Sequence, residues 1–273
     1  MADQGVMVDV LSSQAIARTE IEAEVEAKDE ADSPPRASCE EGADWNVVER
    51  AFLTRRSIRK FKKAQVPAHL VRRMLEIGRF APSQGNCQPY RFAVVREPDL
   101  LRDMEETCVA ECRKLASMTD YTAFEQGSLK RFAVATVSRL VSVADPNAAH
   151  PVPMVVLRQI ADGKFTVFHR APTVILLLVD RHGVGIPEID IGIVGTNIVM
   201  AAESQGLGTC WVGFSKLLNQ SPAWKERLGL DERFQISEAI CVGYPVGKPW
   251  QKLIERATHE IRWFEDGRKT VVY

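Results

Sequence analysis

The stretch TVILLLVD at 173–180 constrains the fold of this chain more than any other. It is a run of β-branched residues and leucine with the length of one strand. RFAVV at 91–95 indicates a buried strand, and ISEAICVGYPVG at 236–247 predicts a strand that ends in a turn. Segments with helical apolar spacing separate these strands, so we expect a layered α+β domain whose sheet is not a regular βαβ winding.

The helices between the strands are predicted from apolar spacing and from residues that favour helix ends. They are a first helix from Trp45 with Asp44 as its N-cap, then 67–80, 98–116, 188–205, and a short helix with Ser221 as N-cap and Pro222 at its first position. GTCWVGF at 208–214 and HEIRWF at 259–264 predict two further strands.

Charge is divided unevenly along a chain whose net charge is only -1. Residues 1–44 hold 12 acids and 3 bases, whereas the remainder holds 24 acids and 32 bases. The first segment is acidic and nearly free of aromatic residues, so we expect a disordered tail over 1–44. The folded body is then 45–273, and its net charge of +8 suits nucleic acid, a membrane surface or a phosphorylated ligand.

Residues 117–168 form the least regular part of this body. Pro146, Pro151 and Pro153 interrupt any long element, although SLKRFAVATVSRLV at 128–141 could be helical. We expect a lid or an arm that covers another part of the assembly.

Several classes of protein are disfavoured. No apolar run approaches the roughly 20 residues of a membrane span, and the N-terminus has no signal-peptide pattern, so we expect no membrane contact and a cytoplasmic location. Cys108 and Cys112 would share one helix face and could bind a metal, but no histidine or second cysteine pair lies nearby. We therefore expect buried free thiols and no metal site.

Motifs for direct catalysis are also missing. GLGTCW at 206–211 lacks the third glycine of a dinucleotide fingerprint and precedes a strand instead of following one. No phosphate-binding loop, zinc-protease motif or nucleophile elbow occurs. If the chain is an enzyme, a cofactor performs the chemistry and no side chain need act as a catalytic residue.

Three stretches remain as candidate sites. In TRRSIRKF at 54–61, arginines surround Ser57; this is either a solvated basic face after a helix or a phosphate site of guanidinium forks and a hydroxyl. In RFAPSQGNCQPYRF at 79–92, polar side chains gather between two prolines. That pattern fits a helix-ending turn or recognition of a flat heterocycle.

The third stretch is the helix 188–205 with GLGTCWVGF after it. Small residues keep parts of this helix thin, which allows close approach of another helix or of a planar ring. Gly213 could expose a backbone N–H beyond Trp211.

Taken in order, these stretches and VGYPVGKPW resemble the FMN-dependent nitroreductase family over roughly 45–264, with 117–168 poorly matched. The resemblance implies an α+β nitroreductase-like fold, with a central, mainly antiparallel sheet flanked by helices. It also implies an intertwined homodimer that holds FMN at the subunit interface.

The resemblance assigns cofactor-binding roles to particular residues. The flavin phosphate and part of the ring edge would be held by Arg55, Arg56, Ser57 and Arg59. The flavin would be contacted across the interface by Pro82, Ser83 and Asn86, and near its N5 edge by Trp211, Val212 and Gly213. Arg256 best matches a late arginine that completes the phosphate grip, although the usual proline after it is absent.

The implied reaction is hydride transfer from NADH or NADPH to flavin, then reduction of an electron-poor aromatic acceptor such as a nitroaromatic or a quinone, with ping-pong kinetics. One alternative is reductive dehalogenation of halotyrosines, but Glu106, Tyr121 and Lys130 do not fit the spacing of the required set. A non-catalytic flavin-binding protein is a second alternative. A nucleic-acid binder is disfavoured because no basic-aromatic or helix-turn-helix motif occurs.

Overall fold

The computed structural model describes residues 44–119, 125–144, 151–247, 256, 259–265 and 267–272. The chain divides into two compact units, Met1–Val47 and Val48–Tyr273. The first unit lies almost wholly outside the described residues, so the predicted disordered tail over 1–44 stays a prediction. No described helix is long and apolar enough to cross a membrane.

The described helices follow the chain as seven α-helices and two 3-10 segments. They are α1 (Val47–Thr54), α2 (Ala68–Arg79), α3 (Pro98–Thr119), α4 (Leu129–Ala144), α5 (Pro151–Ala161), α6 (Pro187–Ser204) and α7 (Pro222–Arg227). The 3-10 segments are Gln84–Asn86 and Gly213–Gln220.

Four strands form the central sheet, and every neighbouring pair is antiparallel. They are β1 (Tyr90–Val95), β2 (Thr173–Asp180), β3 (Gly208–Val212) and β4 (Phe234–Gly243), in the order β1-β2-β4-β3. A separate hairpin joins β5 (Ile261–Glu265) to β6 (Arg268–Val272).

Helices cover both faces of this sheet, which explains why all eight residues of β2 are buried. Leu176 and Leu178 pack in one core layer with residues of α3 and of the Gly213–Gln220 segment. Ile175 and Leu177 point to the opposite layer, against α2 and α6. A strand covered on both sides reads as a continuous apolar run, and that is what TVILLLVD shows.

The strand predicted at 173–180 is observed with the same bounds, and the long helices agree within a few residues. The first helix begins at Val47, so the prediction of Asp44 as its N-cap is wrong. Ser221 occupies the N-cap position with Pro222 in the first helical turn, as predicted, although its hydroxyl makes no capping bond; its backbone carbonyl accepts from Trp224 N–H at 3.1 Å. The strand predicted at 208–214 ends at Val212, because the chain turns into a 3-10 segment at Gly213.

Most of the described part of 117–168 is helical, and the described residues outside the helices form turns and bends. α3 extends to Thr119, and α4 occupies most of the stretch expected to be helical. Pro151 begins α5, in agreement with the tolerance of proline in a first helical turn. Residues 120–124 and 145–150 lie outside the described residues, so the role of this region as a lid stays a prediction.

Candidate functional site

The arginine stretch is fixed along the β3 edge of the sheet. Ser57 forms a parallel bridge with Thr209, and Ile58 N–H donates to the Thr209 carbonyl at 2.8 Å. Farther on, Lys62 N–H donates to Tyr244 O at 2.8 Å. Gly208 permits this approach, because a Cβ there would lie 2.7 Å from Cγ1 of Ile58. The stretch is therefore an extra edge segment of the sheet and not a freely solvated face.

Arg55 and Arg59 lie beside the buried thiol of Cys210. Burial raises the pKa of Cys210, while the charges of Arg59 and Arg55 and a contact with Arg59 act to lower it. Burial also lowers the pKa of His169 to about 4, and Arg59 adds to that shift. Arg59 thus lies near both Cys210 and His169.

Arg56 carries a hydrogen-bond donor that is not satisfied within the described structure. Its Nη2 atom is buried and finds no acceptor among the described residues. A buried guanidinium N–H without an acceptor is costly, and a phosphate oxygen would supply a charge-assisted partner. The residues present therefore fit a bound phosphate group at this segment.

The polar turn at 82–89 holds its shape through its own hydrogen bonds. Gln88 N–H donates to Ser83 Oγ at 3.0 Å, and the Gln88 side-chain amide donates to Asn86 Oδ1 at 3.0 Å. Asn86 and Gln88 both have positive φ, 56° and 48°. The sequence left open a helix-ending turn or recognition of a heterocycle, and several of these polar atoms are used within the turn. Pro82 and Asn86 remain exposed.

One chain does not bring the polar turn to the arginine stretch. Gln84 N–H contacts Asp190 Oδ1 at 3.4 Å, in the first turn of α6. Ser57 instead pairs at the start of β3, which follows the last turn of α6. From Asp190 to Ser204 the helix rises about 21 Å at about 1.5 Å per residue. Any site that contains both stretches therefore needs a second copy of the chain.

The thin face of α6 is occupied by the protein's own indole. A Cβ at Gly195 would overlap the six-membered ring of Trp211, and Trp211 keeps 38% of its surface exposed. Of the two readings offered from the sequence, close approach of a planar ring holds at Gly195, and the ring is the indole of Trp211 in the same chain. Gly192 meets nothing within 4 Å and remains open.

A charged pair that the sequence analysis missed stands at the end of β3. Lys216 Nζ lies 2.6 Å from Glu238 Oε1, and a Cβ at Gly213 would lie 3.3 Å from Glu238 Oε2. The register aligns Val212 with Ala239, which sets Glu238 beside Gly213. The feature of the sequence that could have indicated this pair is the carboxylate of Glu238, which stands next to the apolar residues of β4.

The remaining predicted residues are less informative. Arg256 is exposed and its immediate neighbours lie outside the described residues, so its role stays a prediction. Tyr121 also lies outside them, which leaves the halotyrosine set untested.

Cys108 and Cys112 are buried free thiols as expected, and burial raises the pKa of Cys112 to about 11. In the described part of the chain, no cluster of histidine, cysteine and acidic residues could hold a metal ion.

With this geometry in place, comparison with known proteins identifies the class. The model of the nitroreductase family matches residues 53–244, and the chain belongs to that family. The predicted family, the α+β fold and the assignment as an oxidoreductase are thereby confirmed.

Individual relatives agree with this assignment. A protein of Archaeoglobus fulgidus provisionally named NADH dehydrogenase/NAD(P)H nitroreductase is 26% identical over 72% of this chain and 84% of its own length. Chloronitrobenzene nitroreductase of Comamonas testosteroni is 25% identical over 72% and 86%. The structure of a nitroreductase with bound FMN from Desulfitobacterium hafniense superimposes with a TM-score of 0.57 at 20% identity, over 79% of this chain and 96% of that one.

Proposed function

We propose that this chain is an FMN-dependent oxidoreductase that uses NADH or NADPH to reduce an electron-poor acceptor such as a nitroaromatic or a quinone. The observation that carries the proposal is the buried Nη2 of Arg56, which has no acceptor within the described part of the chain and belongs to an arginine segment attached to the sheet edge. The names of the relatives support the nicotinamide reductant and the nitro acceptor. The bound FMN of the Desulfitobacterium protein supports the cofactor.

Arg55, Arg56 and Ser57 would hold the cofactor's phosphate. Their backbone is fixed by the pairing with β3, so the guanidinium groups are positioned before binding and little ordering entropy is lost. Arg59 would lie by the ring edge, and Arg256 would complete the grip on the phosphate.

Trp211, Val212 and Gly213 would border the reactive edge of the ring. The Trp211 indole against Gly195 fixes the end of β3, and Gly213 presents backbone without a side chain. Lys216 and Glu238 add a charged pair beside this backbone. Bound FMN would supply hydride acceptance from the nicotinamide and electron transfer to the acceptor in two successive half-reactions.

A second copy of the chain would complete the site. The surface near the polar turn carries several large exposed apolar side chains, among them Ile77, Phe80, Ile186 and Ile189. Exposed apolar surface of this kind marks interaction sites. A homodimer through this surface would bring Pro82, Ser83 and Asn86 of one chain towards the arginine segment of its partner.

Anaerobic titration of the purified, FMN-loaded protein with NADH and with NADPH tests the function. The visible flavin absorption should bleach and then return when nitrobenzene or a quinone is added. A protein that binds FMN but is not bleached would be a non-catalytic flavin binder. A preparation that never takes up FMN would overturn the proposal.

A further inference from the structure

A cavity of about 760 Å³ opens between the start of α3 and the segment 166–172 that leads into β2. The charged residues on its wall are Lys63, Arg96, Arg102, Arg170, Glu105 and Glu106. Arg102 is paired with Asp99 at 2.8 Å outside the lining, which leaves Lys63, Arg96 and Arg170 against the two carboxylates and a smaller excess of positive charge.

The carboxylate of Glu105 is already engaged by the backbone. It accepts hydrogen bonds from Val167 N–H at 2.6 Å and from Phe168 N–H at 3.0 Å. Among the described residues, Lys63 and Arg170 have no hydrogen-bonding or ion-pair partner. Their charge is therefore available to a ligand in the cavity.

Arg96 provides an independent sign that an acceptor belongs here. One of its terminal nitrogens donates to the Val66 carbonyl, which anchors the side chain. Its Nε is buried and has no acceptor among the described residues. An anion bound beside the Arg96 guanidinium would offset part of the cost of this unmet N–H.

Apart from Gln65 and Thr166, the rest of the wall is apolar and is formed by Pro98, Leu101, Phe168, Ala171 and Pro172. Cavities of this size with apolar walls and a few polar groups are typical of small-molecule sites. The lining therefore matches a molecule with an apolar body and an anionic head.

None of the residues assigned to the proposed flavin site lines this cavity. Thr166, Phe168 and Arg170 line it, whereas His169 lies near Arg59 and packs edge-on against Phe165 at 5.2 Å between ring centroids. Residues 166, 168 and 170 of this segment thus line the cavity, whereas residue 169 lies near the arginine segment.

We propose that this cavity binds a small organic anion, a carboxylate with an aromatic or aliphatic body, whose head group contacts Lys63, Arg96 and Arg170. The proposal does not depend on the flavin function, because none of these residues belongs to the flavin site proposed above.

Isothermal titration calorimetry with 1-naphthoate tests it, and the uncharged 1-naphthamide serves as matched probe. Both the FMN-free and the FMN-saturated protein should bind naphthoate at least about tenfold more tightly than naphthamide, the factor expected for a charge-assisted contact. Lys63→Gln and Arg170→Gln should each weaken naphthoate binding about tenfold. Lys62→Gln removes the same charge from the same segment but outside the lining, and should leave binding unchanged.

Leu101→Trp supplies a second test, because it keeps every charge and fills the cavity. It should also weaken naphthoate binding. The melting temperature of each variant shows whether that variant is folded. The proposal is overturned if naphthoate does not bind or naphthamide binds equally well. It is also overturned if FMN saturation abolishes binding, which would locate the probe in the flavin site, or if both charge variants or Leu101→Trp bind as the wild type does.

Discussion

At the scale of single residues, two glycines of α6 have opposite surroundings. Gly195 faces the Trp211 indole with no room for a Cβ, whereas Gly192 meets nothing within 4 Å. The close packing of Trp211 against backbone fixes the end of β3, and with it the place of Gly213.

Gly195→Ala should therefore destabilise the protein by about 1–3 kcal/mol, the range for overpacking a close contact. Gly192→Ala should be neutral or stabilise by up to about 1 kcal/mol, since alanine is the better helix former and the space is open. Urea unfolding monitored by tryptophan fluorescence compares the two variants. Equal stability of both would contradict the packing of Trp211 on Gly195.

At the scale of elements, the segment before β2 carries a histidine that burial keeps neutral. The pKa of His169 is lowered to about 4 by burial and, secondarily, by Arg59. A group whose pKa is lower in the folded chain binds more protons when unfolded. Its contribution to stability is complete above the unfolded pKa and declines as the pH falls towards 4.

The free energy of unfolding should therefore fall between pH 6.5 and pH 4, on the order of 1–2 kcal/mol from this half-buried group. His169→Asn should flatten that part of the profile, because it removes the titrating imidazole. Asparagine is the replacement of choice, since it tolerates the positive φ of 53° at this position. His69→Asn, on the exposed side of α2, is the control. A profile for His169→Asn that matches the wild type would contradict this account.

The helices and strands also show how much of the fold could be predicted from the sequence. TVILLLVD and the apolar faces of the helices predicted the two-sided core, because burial acts on every residue of such segments. The arginine stretch and the polar turn could be recognised as local features of the sequence, while their roles in a site stay predictions. The pairing of Ser57 with Thr209, the Trp211–Gly195 contact and the Lys216–Glu238 pair could not be predicted, since each joins residues brought together only by the folded sheet.

At the scale of the whole molecule, the proposed site is divided between two copies. The arginine segment lies at one end of α6 and the polar turn at the other, about 20 Å apart by the rise of the helix. Phe80, which is 78% exposed next to the polar turn, belongs to the apolar surface that a partner would cover.

Phe80→Glu should shift the protein from dimer to monomer and weaken FMN binding in parallel, because it buries a charge in that interface. Leu115→Glu is the control: Leu115 is also exposed and precedes 117–168, but it lies on α3, which packs on the opposite face of the sheet. Analytical ultracentrifugation with and without FMN measures both effects. A monomeric Phe80→Glu protein that binds FMN normally would refute the shared site.

The central claim is that the arginine segment holds a flavin phosphate, and comparison of FMN with riboflavin tests it most directly, since riboflavin lacks only that phosphate. Flavin fluorescence titrations should show FMN binding about 100-fold more tightly than riboflavin, equivalent to about 2.7 kcal/mol. Arg56→Gln should weaken FMN at least about tenfold and leave riboflavin unchanged, while Arg72→Gln on α2 should alter neither. Equal affinity of the wild type for both flavins, or normal FMN binding by Arg56→Gln, would contradict the account.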